Sequence, residues 1–311
     1  MSEFEKTMNK EQDPARKLTF KERDELRIKA TDEATVAAVA DTGSLHAYLE
    51  TLSRFERYST GNTLLIHAQR PTATRIMDMS GWNKTGKQIK KGAKSIAIYE
   101  PQKVEKNGKT YTNFVRKNMF DVADVKDAAP YMPERCSVDQ LLKALFEGKT
   151  VDVEVLQTNY PPSEPHGAFY DALDNVIYCR PGMNNADVFM SVAYALAHAD
   201  MAADVDDYVP GEHEFEAECA AYTLCRKHGL PADPMLPKSI PAGFRTMKPA
   251  EIRKCLDEGH AAMKHLCSTM YKSLGKSKEN AQGAKDERKS TEPGQRDTSR
   301  PRGQKRGGDA R

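Results

Sequence analysis

Residues 188–199, VFMSVAYALAHA, form the longest uncharged apolar run in a chain whose residues are 30% charged. The run is too short to cross a bilayer, which takes roughly 20 apolar residues. Asn184 is placed to open a helix that continues to about residue 204, and Phe189, Val192, Ala193 and Leu196 on it pack as a buried helix. No other segment reads as a membrane span, and the first sixteen residues mix charges of both signs without an apolar core, so no secretory signal is expected. The six cysteines contain no CxxC pair, a pattern that suits reduced thiols and a cytoplasmic protein.

The formal net charge of +2 hides a separation by region. Residues 54–117 hold fourteen Lys or Arg against four acids, Glu56, Asp78, Glu100 and Glu105. Residues 187–218 hold nine acids and no Lys or Arg, and residues 275–311 hold eleven basic and six acidic residues. A basic surface for polyanions and a separate acidic region are expected.

The 311 residues suffice for two ordinary domains or one large one. Residues 1–17 read as disordered. Helices are expected over 18–29, over 44–58, where Leu45, Tyr48, Leu49, Leu52 and Phe55 recur at helical spacing behind a Ser44 cap, and over 62–69, stopped by Pro71. A basic loop leads to a strand over 95–99, and Asn107-Gly108 signals a hairpin between 103–106 and 110–115. Pro130 and Pro133 mark a linker over 124–137. A helix over 138–147, a strand over 151–156 and a hairpin about Asp174-Asn175 follow, then helices ending near residues 204, 228 and 273. Beyond Gly275 almost no apolar residues remain, and residues 274–311 read as a disordered basic tail. The expected class is α+β: N-terminal helices with a small antiparallel sheet over 18–126, then a helical unit with a β-hairpin over 138–273.

Single-stranded nucleic acid is held by cations that follow phosphates and by flat rings that stack on bases. Lys84, Lys87, Lys90, Lys91 and Lys94 supply the cations, and Trp82, the only tryptophan, is a candidate ring beside Tyr99, Tyr111 and Phe114. Trp82 and the strand rings also suit a core. No GxxxxGK[ST] or GxGxxG loop is present, so nucleotide hydrolysis and dinucleotide binding lack their phosphate cradles.

The run from Thr60-Gly61-Asn62 through Ala68-Gln69-Arg70-Pro71, followed by Trp82, Gly86-Lys87, Ile89, Lys91-Gly92, Lys94 and Met119-Phe120-Asp121-Val122, resembles the N-terminal domain of ArdC-type antirestriction proteins. Lys87, Ala93 and Ser95 depart from the family pattern of Arg, Glu and Gly; at Lys87 the charge is kept but the bidentate guanidinium is lost. The resemblance, over roughly residues 44–125, implies single-stranded DNA binding on a plasmid or conjugative element, with Asn62, Arg70, Trp82, Lys84, Lys87, Lys90, Lys91 and Lys94 as binding residues.

It also implies a zincin-like second domain, in which an H-E-x-x-H helix and a downstream Glu bind zinc and activate water. The matching helix here reads Tyr194-Ala195-Leu196-Ala197-His198, so only the second His survives, and Glu218 stands at the third-ligand position. His213, Asp200 and Asp204 are the available substitutes. The expectation is a non-catalytic pseudo-metallopeptidase without cofactor, with His198 hydrogen-bonded to Glu218 or Tyr194. Two alternatives stand beside it. One is a zinc metallopeptidase with a rearranged ligand set. The other is an interaction protein whose Glu212, Glu214, Glu216 and Glu218 mimic DNA phosphates toward a restriction or conjugation protein.

Overall fold

The first helix, α1 (Glu3–Gln12), lies where disorder was expected and buries Thr7 and Met8. A computed structural model describes residues 3–12, 18–106, 108–129, 135–158, 160–161, 164–203 and 205–291. The expectations for residues 1–2, 13–17 and 292–311 lie outside these. Helix α2 (Phe20–Ala38) begins at a capping box between Thr19 and Glu22 and runs nine residues past the expected end. Its buried stripe is Ala30, Thr31, Ala34, Thr35 and Ala38, small residues that leave no strong apolar period in the sequence.

Helix α3 (Thr42–Phe55) buries Leu45, Tyr48, Leu49, Leu52 and Phe55 as their spacing requires. Its cap is Asp41, which accepts from the Ser44 amide at 2.7 Å, and not Ser44 itself. Helix α4 (Thr60–Gln69) is capped by Ser59. After β1 (Ile76–Asp78), the segment expected as loop forms a short helix α5 (Met79–Lys84), capped by Asp78 and anchored by buried Trp82. Strands β2 (Ile96–Lys106) and β3 (Lys109–Asp121) make one long hairpin, so the expected short strands are parts of continuous ones. Gly108 takes φ +70° in its turn. The sheet order is β1-β3-β2, all antiparallel.

The second half opens with α6 (Val138–Glu147), started by a Ser137–Gln140 capping box. Strands β4 (Asp152–Val155), β5 (Ala168–Asp171) and β6 (Val176–Cys179) follow in the order β4-β6-β5. The expected β5–β6 hairpin is present, with Asn175 at φ +55° in its turn, but β4 joins β6 in parallel, so this sheet is mixed and not antiparallel. Helix α7 (Asn185–Ala202) is capped by Asn184, whose side chain accepts from the Ala186 and Asp187 amides. Every residue from Phe189 to Ala199 is buried, as befits a helix apolar all round. Helices α8 (Glu214–Lys227) and α9 (Pro249–Thr291) pack on it, and α9 continues past Ser273 through part of the segment expected as a disordered tail. At Gly259 of α9 a Cβ would sit 2.7 Å from the Glu216 carbonyl oxygen, so glycine sets how closely α9 approaches α8.

These elements form an α+β protein. Its main core joins Leu45, Tyr48, Leu49 and Leu52 of α3 to α6, α7, α8 and α9, and the interior therefore continues across the expected linker. No described helix is long and apolar enough to cross a membrane.

Candidate nucleic-acid interface and the α7 histidine cluster

Trp82 is sealed in the core at 3% exposure. Its Nε1–H donates to the Phe120 carbonyl at 2.9 Å, it packs with Val122 and Val125, and the Arg75 guanidinium lies 5.8 Å over the ring. A ring so enclosed cannot stack on a base, which corrects that expectation. Tyr99 is buried as well. The exposed rings are Tyr111 at 52% and Phe114 at 40%. Three residues apart on β3, they face opposite sides of the hairpin, and the Arg27 guanidinium lies 4.2 Å over the Phe114 ring.

The proposed binding residues are not equivalent. Asn62 clamps α4 to β2: its Nδ2–H donates to the Tyr99 carbonyl and its Oδ1 accepts the Tyr99 amide, both at 2.9 Å. Arg70 pairs with Asp124 and donates to the Lys94 carbonyl at 3.2 Å. Lys87 donates to the Asp127 carbonyl at 2.9 Å and Lys90 to the Ala123 carbonyl at 2.8 Å. These four residues fasten the segments around them to their neighbours. Lys84, Lys91 and Lys94 are exposed, and their side chains have no hydrogen-bond or ion-pair partner among the described residues. Gly86 (φ +72°) and Gly92 (φ +81°) turn the chain there through conformations that favour glycine.

In the second half, His198 Nδ1 is bonded to the Tyr208 hydroxyl at 2.7 Å, neither to Glu218 nor to Tyr194 as expected. Its Nε2 is buried without a hydrogen-bond partner. Burial holds the ring neutral and pushes its pKa down to about 3, with His213 and His166 further opposing a charged ring. Tyr194, at the first-ligand position, instead hydrogen-bonds Glu214, and its ring lies 4.3 Å from that of His166 and 4.8 Å from that of His198. Glu218 Oε1 is 3.5 Å from His166 Nε2.

His213 stacks on Tyr208 at 4.8 Å and lies 3.9 Å from Glu258. Asp200 pairs with His265, and Asp204 lies outside the described residues. The family-implied zinc does not fit this arrangement. Tyrosine and alanine stand where the resemblance would place the first ligand and the general base, and no group of three or more His, Cys, Asp or Glu among the described residues is placed to hold a metal.

The acidic run is also less solvated than its alternation suggests. Glu214 meets Tyr194, Glu216 is buried and Glu218 faces His166, which removes most of a phosphate-like array. Sequence reasoning missed His166 and Tyr208. They reach the cluster from the segment before β5 and the segment after α7, and no fixed spacing announces such a meeting.

Residues 27–132 match a family model described as the N-terminal domain of anti-restriction factor ArdC. They include α3, α4, the β1-β3-β2 sheet and the lysine segment. This segment is an ArdC-type N-terminal domain. Among solved structures the chain is similar to the antirestriction ArdC protein from the R388 plasmid. The metal-free form has 17% sequence identity and a TM-score of 0.47, covering 69% of this chain and 86% of that one. The Mn(II)-bound form has 15% identity and a TM-score of 0.49, covering 77% and 97%. No curated protein matches the chain.

Proposed function

We propose that this protein binds single-stranded DNA in the cytoplasm, serving a plasmid or conjugative element whose entering strand it protects from restriction. We further propose that its C-terminal half is a non-catalytic scaffold descended from a metallopeptidase. The observation that carries the first reading is the coincidence of the ArdC-type segment with a strongly basic stretch, where the exposed Lys84, Lys91 and Lys94 have no ion-pair partner among the described residues. Such cations attract a polyanion and release its counterions on binding. The second reading rests on Tyr194 and Ala195, which replace a ligand and the base that would activate water.

Titration of single- and double-stranded oligonucleotides of equal length tests the first. Single strands should bind more tightly, and their affinity should fall steeply between roughly 50 and 200 mM salt. An affinity that barely changes would remove the electrostatic basis. Elemental analysis of purified protein tests the second, since stoichiometric zinc would revive the rearranged metallopeptidase.

A further inference from the structure

Away from the lysine segment, cations and rings also gather in a cleft of about 430 Å³ where the two halves meet. Arg54, Arg57 and Tyr58 enter it from α3 and the turn after it, Arg75 from the segment before β1, Lys227 from α8 and Tyr271 from α9. Four cations line the cleft, and Glu56 is the one carboxylate lining it among the described residues. Glu56 is buried and already paired with Lys227 at 2.8 Å, with Arg57 3.7 Å away. Other acids nearby are engaged: Glu50 with Arg226, Asp121 with the Thr74 and Arg75 amides, and Glu100, which faces Tyr58, with Lys117. Arg54 donates to the Ala73 and Pro71 carbonyls, so its charge is fixed in place by backbone oxygens. A surplus of positive charge in a concave site focuses anions there.

The cleft also offers flat groups. The Tyr271 ring is 39% exposed, with the Arg57 guanidinium 5.9 Å and the Lys227 ammonium 5.7 Å from its centroid. The Arg57 side chain is 81% exposed, so little holds it against the protein. Unpaired bases stack on aromatic rings and on guanidinium planes alike. We propose that this cleft takes a phosphodiester of an unpaired polynucleotide strand, with the adjoining base lodged against Arg57 and Tyr271. The C-terminal half, through Lys227 and Tyr271, then supplies part of the strand-binding surface. This inference rests on the single-stranded DNA reading above and locates one part of the site.

The test uses the full chain and a fluorescent oligothymidylate of about 20 nucleotides, enough to exceed a single module's footprint, with a thermal melt of every variant. Arg57→Ala should weaken binding at low salt and reduce the salt slope by about 0.7, one phosphate being left without its cation. Tyr271→Ala should weaken it roughly 5- to 100-fold. Arg57→Glu, a charge reversal at an exposed side chain, keeps the test decisive should Tyr271→Ala fail to fold, and it should weaken binding by more than Arg57→Ala. Wild-type protein that binds the strand while Arg57→Glu and Tyr271→Ala match it in affinity and salt slope would overturn the cleft alone. Wild-type protein that does not bind would overturn the functional reading and the cleft with it.

Discussion

The lysine segment after α5 and the histidine cluster of α7 both hold side chains suited to chemistry, and they use them in opposite ways. In the first, Lys87 and Lys90 cap backbone carbonyls along one edge and leave Lys84, Lys91 and Lys94 projecting into water. In the second, His198, Tyr194, Tyr208 and His166 satisfy or pack against one another in the interior. Residue type alone does not distinguish an available group from a committed one. The partner decides, and it often lies far away in sequence.

The largest expected effect strikes only the histidine side of this contrast. His198 of this cluster and His228, the residue that ends α8 and meets the Phe189 ring of α7, are held neutral by burial, their pKa values pushed down to about 3 and about 4, while in the unfolded chain they titrate near 6.5. Below pH 6.5 the unfolded chain therefore binds protons that the folded one refuses. Stability from these rings, fully present above that pH, is lost as pH falls toward 4, by up to about 1.4 kcal/mol per pH unit for each ring. A melting temperature that stayed level across this window would place the rings in water.

Phe189→Ala, in the middle of the buried helix, should cost about 3–5 kcal/mol in denaturant unfolding. A cost below about 1 kcal/mol would mean that the α7 core collapses around the gap. Trp82→Phe should cost about 1–3 kcal/mol, because the Phe120 carbonyl loses its donor, and should leave strand affinity unchanged. Weaker binding at unaltered stability would return the ring to the binding surface. The smallest effect on stability belongs to Lys84→Ala/Lys91→Ala/Lys94→Ala, within about 0.5 kcal/mol. The same variant should flatten the salt dependence of strand binding by up to about 0.7 per lysine, and an unchanged slope would sever this segment from the interface.

The sequence announced most clearly those elements whose burial repeats at a fixed interval. Leu45, Tyr48, Leu49 and Leu52 defined α3, and the uncharged run defined α7. The hairpin of β2 and β3 showed in Asn107-Gly108, although its strands proved longer, since solvated residues on both faces beyond Glu100 break the alternation. Helix α5 was illegible: six residues with Gly81 inside them depend on the Asp78 cap and on Trp82 finding a pocket. The parallel pairing of β4 was equally hidden, because short strands do not reveal their partners. At the sites, the residue types could be read and their occupation could not. Nothing near Asn62 in sequence signals Tyr99, and nothing near His198 signals that its bond goes to Tyr208 rather than Glu218.

The continuity of the interior from α3 into α7, α8 and α9 has a practical result. A fragment cut at residue 126 would expose Tyr48, Leu49 and Leu52 to water while stripping α8 of the helix it rests on. His260, bonded to the Thr60 hydroxyl through one ring nitrogen and to the Glu56 carbonyl through the other, would be parted from both at once. Dissecting the molecule by truncation would therefore report misfolding in place of function, and single side-chain exchanges in the intact chain are the sounder scalpel.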